Sequence, residues 1–186
     1  YAPYLYFGSL LLYTRFGWGT LEVGFGGTAA ATFTVMIQAG LYTTVVKKFG
    51  KHGTLFIATL HMSVGNLLLA ATGGTIESYR GIFLISLGQG CICVGLAVGL
   101  PTITVILSNL ATPKTQGTVL GTSQGLQALA RVVGPLLGGA LFDVTAALPF
   151  IVASGIGILA CLASYISLCI ARHHVDVKAP PRDNEP

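Results

Sequence analysis

The sequence predicts an all-α fold, a polytopic membrane helix bundle of six transmembrane helices, and three observations lead there. Hydrophobic residues make up 53% of the 186-residue chain and charged residues only 9%, far from the roughly 25% charge of soluble domains. Mean hydropathy is +0.77, and the apolar residues run in stretches near the ~20 residues a helix needs to cross a bilayer. The 25 glycines suit helices packed in lipid, where close backbone approach holds neighbours together in the absence of a hydrophobic force between them. A net charge of +4 does not point to nucleic acid. The basic residues are scattered at segment ends and read as topology signals.

The first apolar segment, Tyr1 to Tyr13, spans only ~20 Å as a helix against a ~30 Å hydrocarbon core. With Tyr rather than Met at its head, it is expected to be a truncated helix of a longer protein. It has no positively charged leader, so no signal peptide is read there. Five longer segments follow: about Leu21 to Val46, Thr54 to Ala71, Gly81 to Leu107, Gly117 to Phe142 and Ala147 to Ile170. Clusters of charge, Gly or Pro separate them. The expected organisation is one transmembrane unit over residues 1–171 and a polar, Pro-containing cytosolic tail over 172–186, expected to be disordered.

Lys47, Lys48 and Lys51 lie between the second and third segments, Lys114 between the fourth and fifth, and Arg172, Lys178 and Arg182 after the sixth. An excess of Lys and Arg marks cytoplasmic loops, so these loops and the tail are expected in the cytosol. The opposite loops hold Arg15 and Arg80 beside Glu22, Glu77 and Asp143.

Arg131 lies about fourteen residues inside the fifth segment, which at ~1.5 Å per residue puts it near the bilayer midplane. An ionisable side chain there is costly unless it faces a polar cavity or a partner, and so marks a pathway or binding site. Gln124, Gln127 and Arg131 are spaced by three and four, forming one polar stripe that continues through Gly134 and Gly138. Gly24, Gly27, Ala31, Thr34 and Gln38 repeat the pattern in the second segment, and Ser86, Gln89 and Cys93 in the fourth. The sixth shows no comparable stripe. These patterns predict that the second, fourth and fifth segments line a cavity while the sixth faces lipid. Arg131, Gln127, Gln124, Gln38, Thr34, Gln89 and Ser86 are the candidate lining residues. The competing role for each Gln, Ser or Thr is hydrogen bonding between helices as packing glue.

Cys91, Cys93, Cys161 and Cys169 all fall within predicted spans and read as small, polarizable packing residues. Cys91 and Cys93 point about 200° apart on a helix, wrong for a shared metal. No metal, disulfide or cofactor is expected. Gly121 to Gly125 matches a G-x-S-x-G nucleophile elbow, but that motif needs a strand, a turn and a helix, and here it lies in a continuous apolar helical pattern. Only an intramembrane serine protease, with Ser123 as nucleophile and His61 as base, survives as a remote enzymatic alternative.

The run LATPKTQGTVLGTSQGLQALARVVGPLLGG, Leu110 to Gly139, resembles the fourth-to-fifth-span segment of a major facilitator superfamily half, particularly the tetracycline-efflux-like, drug-antiporter branch. The resemblance covers essentially the whole chain. Gln38 to Leu41, leading to Lys47, Lys48, Phe49, Gly50, Lys51 and His52, is similar to the family's Gly-rich basic cytoplasmic loop, with Gly40, Lys47, Lys48, Gly50 and Lys51 as its motif residues and the usual Asp absent. In the family that loop latches two six-helix halves together. Gly134 and Pro135 with Gly138 and Gly139 resemble the family's Gly-Pro element, which implies a helix that packs and bends between halves. Pro135 removes one backbone donor, a physical cause for a kink.

The resemblance implies that the six helices are one half of a twelve-helix fold. Leu87 to Gly90 resembles a signature of the first half but lacks its Arg. The degenerate basic loop, the wording from Ala128 to Pro135 and the short polar end favour the second, C-terminal half. The implied function is secondary active transport of a small molecule by alternating access, efflux or antiport, rather than enzymatic catalysis. Its implied partners are the bilayer, the other half of the same polypeptide, the substrate and, as a candidate coupling ion, the proton. Glu22, Glu77 and Asp143 sit at span ends, so an acid for proton coupling is expected in the other half. The alternative is a transporter-like receptor or interaction protein.

Overall fold

The computed structural model describes residues 13, 17–72 and 79–178, which form five long helices with no strand among them. They are α1 (Thr20–Gly40), α2 (Tyr42–Ala71), α3 (Tyr79–Leu110), α4 (Gln116–Val144) and α5 (Leu148–Lys178). All five are long and apolar enough to cross a membrane. The predicted first span, Tyr1 to Tyr13, lies outside the described residues apart from Tyr13. The last helix runs on to Lys178, so Arg172 to Lys178, read as the start of the polar tail, continue it. Residues 179–186 lie outside the described residues.

The predicted loop from Lys47 to His52 is helical except at one residue. Leu41 is itself in the αR region, and the bonds from Leu41 N to Ile37 O (2.8 Å) and from Val45 N to Leu41 O (3.0 Å) carry the helical path of α1 into α2. That path ends at Gly50, whose φ of 70° and ψ of 172° divide α2 into Tyr42–Phe49 and a span beginning at Lys51. Positive φ costs an L side chain roughly 1–2 kcal/mol, which glycine avoids. Thr54 Oγ1 donates to Gly50 O at 2.7 Å, closing the new helix start. Gly50→Ala is therefore expected to lower stability by about 1–2 kcal/mol, measured as thermal unfolding of the full-length protein in detergent. Gly155→Ala, at a helical site with open space around it, should raise stability slightly. Equal responses at the two positions would contradict the account.

Helices α2, α3 and α5 make the tight part of the bundle, with α2 between the other two. Its contact with α3 is nearly backbone to backbone. A Cβ at Gly65 would lie 2.7 Å from Gly88 O, and one at Gly88 would lie 2.9 Å from Gly65 O. Further along, Gly95 meets Ala58 O and Met62, and Gly99 meets Ala58. Leu69, Ile92, Leu96 and Phe150 form the buried apolar cluster at one end of this contact.

The α2–α5 contact corrects the reading of the sixth span as a stripe-free, lipid-facing helix. Ser154, Gly157, Cys161 and Ser164 recur at three and four, and all are buried or half-buried. Gly157 lies against Ser63, Ser154 Oγ donates to Ser63 O at 3.3 Å, and Phe56 meets Tyr165 with centroids 5.8 Å apart. Only the opposite face, with Ile151, Ile158, Leu162 and Ile166, is exposed.

Beside its apolar cluster the interior holds small and polar residues, while large apolar side chains crowd the outside. Thr54, Ser63, Thr102 and Ser164 are buried, each hydroxyl donating to a carbonyl one turn back. Leu60, Leu67, Leu126, Leu136 and Ile156 are exposed. Water would reverse that distribution; hydrocarbon favours it, since apolar side chains lose nothing by facing lipid while polar groups must be satisfied internally.

Candidate functional site

Two faces of the bundle carry the predicted polar stripes, and each is exposed over part of its length. Helix α1 leans on α3 through Val23, Ala30, Thr34 and Ile37, its half-buried residues. Cys93 is buried at this seam, its Sγ 3.8 Å from Ala30 O. Of the α1 stripe only Thr34 belongs to the seam, its Oγ1 donating to Ala30 O at 2.8 Å. Gly24, Gly27, Ala31 and Gln38 are exposed beside it. On α3, Ser86 is exposed and Gln89 half-buried.

Helix α4 is held loosely. Its one buried residue is Gly138, with Gly134, Pro135 and Gly139 half-buried nearby, so the predicted Gly-Pro element is where α4 meets the rest of the bundle. The helix is continuous through Pro135 from Gln116 to Val144. Gln127 is half-buried and its Nε2 donates to Ser123 Oγ at 3.4 Å; Gln124 is exposed.

Arg131 is exposed, one residue past the midpoint of the 29-residue α4, and has no hydrogen-bond or ion-pair partner among the described residues. At the centre of a membrane helix an Arg facing hydrocarbon costs at least ~2.5–3.5 kcal/mol. In α1 to α5 no Asp or Glu lies mid-span: Glu22, Asp143 and Asp176 fall in terminal turns.

The structure brings Thr34, Cys93 and their neighbours together at the α1–α3 seam. It does not join them to the α4 stripe, since α1 and α4 share no sizeable contact. Nor does it assemble a Ser/His pair. Ser123 accepts from Gln127 on α4, while His61 Nδ1 lies 2.8 Å from Ile57 O on its own helix α2, and these helices also lack sizeable contact. The serine-protease alternative is thereby removed, and His61 is a hydrogen-bonded helix residue.

No family model and no solved structure matches the chain. Among curated proteins, it is 27% identical over 153 residues to multidrug resistance protein 1 of Bacillus subtilis, covering 79% of this chain and 38% of that protein. It is 30% identical over 133 residues to the class G tetracycline resistance protein of Vibrio anguillarum, covering 71% and 32%. It is 27% identical over 165 residues to the quinolone resistance protein NorA of Staphylococcus aureus, covering 88% and 39%. The chain thus spans 32% to 39% of the length of these relatives.

Proposed function

This chain belongs to the tetracycline-efflux-like, drug-exporting branch of the major facilitator superfamily, and from that membership we propose that it forms one wall of a secondary transporter for small organic molecules. In this reading the wall is the six-helix half, residues 1–171, and the C-terminal one of two; the other half of the same polypeptide supplies the facing wall. Substrate is held between them near the midplane, and the halves rock about it. The observation that carries this reading is Arg131: a mid-span cation with no partner among the described residues, on a loosely held helix whose Gln124 and Arg131 are exposed. Gln124 and Gln127 share that stripe; Gln38, Thr34, Gln89 and Ser86 line the α1–α3 side. With no acid mid-span in α1 to α5, the proton-carrying carboxylate of an antiporter falls to the other half.

The test is the full-length protein in proteoliposomes, with tetracycline or a quinolone as probe and an imposed proton gradient. Gradient-driven accumulation is expected. No accumulation of any probe, with binding retained, would favour a transporter-like receptor instead.

Sidedness follows from the lysines. In whole cells, Lys48→Cys is expected to react with a membrane-impermeant maleimide only after the cytosolic face is opened. Labelling in intact cells would invert the topology.

A further inference from the structure

Helix α4 has two unlike sides, and Arg131 stands on the inner one. At ~100° per residue, Gly138, Gln127 and Gly134 lie within roughly 60° of Arg131 around the helix, and these three are buried or half-buried. Leu126, Leu129, Val133, Leu136 and Leu137 lie roughly 120–160° away, and all five are exposed, as the lipid-facing side of a membrane helix is.

Contact with the bundle lapses at the arginine itself. Residues 128–133 are all exposed, a stretch of about 9 Å between half-buried Gln127 and half-buried Gly134. The guanidinium therefore leaves α4 on its bundle side where the described helices stand back from it.

A cation in that position calls for an anion. Arg stays ionised at any ordinary pH, and a mid-membrane charge without a counter-charge is costly. No Asp or Glu lies mid-span in α1 to α5 to supply one. On the same side of α4, Gln127 follows about 6 Å and Gln124 about 10 Å along the axis, neutral amides that both donate and accept. A planar cationic fork with two amides in line matches a small molecule that carries a carboxylate and, within about 10 Å of it, neutral polar groups.

We propose that Arg131 binds the carboxylate of the transported molecule through its guanidinium fork, so that the substrates are organic anions; this assignment rests on the transporter reading above. A substrate anion arrives and leaves with its own charge. A fixed acid of the other half would instead be pulled from Arg131, leaving two unpaired charges, whenever the halves rock apart.

The test is equilibrium binding to the purified full-length protein in detergent, with nalidixic acid, a quinolone charged at neutral pH through its carboxylate alone, set against its uncharged carboxamide. Hydrogen bonding to a charged group contributes about tenfold to a hundredfold in affinity, so the wild type should bind the acid more tightly than the amide by that factor. Arg131→Ala should lower the acid to the amide's affinity while amide binding and the thermal midpoint stay unchanged, the sign of a folded protein with its cavity intact. Arg131→Lys should keep part of the preference, a point charge replacing the fork. Equal wild-type binding of acid and amide, or binding of neither, would overturn the proposal. So would a fall in both affinities together with a lower thermal midpoint in Arg131→Ala, which would assign the arginine to an ion pair with the other half. The preference for the acid without gradient-driven uptake of either compound in proteoliposomes would keep the anion site and end the transporter reading; uptake of both without preference would do the reverse.

Discussion

Gly65→Val is expected to abolish stable folding of the half-bundle. At Gly65 even a Cβ would approach Ile92 Cγ1 to 2.5 Å and Gly88 O to 2.7 Å, and valine adds two methyl groups beyond it. A flexible side chain could swing aside, but the carbonyl of Gly88 belongs to a helical backbone and cannot. Overpacking a well-packed core costs typically 1–3 kcal/mol and occasionally more; here the axes of α2 and α3 must separate, so the cost falls at or above the top of that range. Separation would also strip contacts from Ala58, Ile92 and Leu69, all buried. The measurement is the yield and thermal midpoint of detergent-purified full-length protein by size-exclusion chromatography. Gly88→Val should act alike, and the double variant should cost less than the sum, because the two glycines occupy one contact. Gly125→Val on α4, with open space around it, should leave the fold intact. A Gly65→Val protein as stable as wild type would remove the α2–α3 contact as the centre of the bundle.

Arg131→Ala is expected to lower transport by tenfold to a hundredfold, on the order of the ~1.5–3 kcal/mol of a hydrogen bond to a charged group, while abundance and thermal stability stay near wild type. The side chain is exposed and partnerless among the described residues, so its removal takes no packing from α4. Arg131→Lys should rescue only in part, because a point charge cannot reproduce the planar fork that bonds two acceptors at once. Ile158→Ala, on the exposed face of α5, should change little. Lost expression with normal transport per remaining molecule would make Arg131 a structural partner and end its assignment to the cavity.

Span positions were legible because they depend on local hydropathy. The predicted Gly117 to Phe142 and the observed Gln116–Val144 differ by a residue or two. The Lys47 to His52 loop was misjudged for a physical reason: charge marks where a chain leaves hydrocarbon, not where it leaves helical geometry, and only Gly50 breaks the helix. Arg131 stood out because cost alone flags a mid-span cation. The α2–α5 seam did not. Ser154, Gly157, Cys161 and Ser164 keep helical spacing but include no Gln, Arg or His, so nothing in them advertises a face. Pairing Gly65 with Gly88 rather than another of the 25 glycines is a tertiary fact that one sequence does not encode locally.

The α2–α5 contact also bears on how the chain is made. His52 and Ser167 are 115 residues apart, and Ser154 and Ser63 are 91 apart, so at roughly 5–20 residues per second a ribosome needs on the order of 5–20 s to deliver the partner of α2 after α2 itself emerges. Through that interval Ser63 faces the membrane or the insertion machinery without its neighbour. Its hydroxyl is nevertheless already bonded, at 2.8 Å, to Thr59 O within the same helix, as those of Thr54 and Thr59 are to Gly50 O and Leu55 O. The waiting helix therefore holds none of these donors open during synthesis, and the arrival of α5 adds packing to a surface that lipid had tolerated.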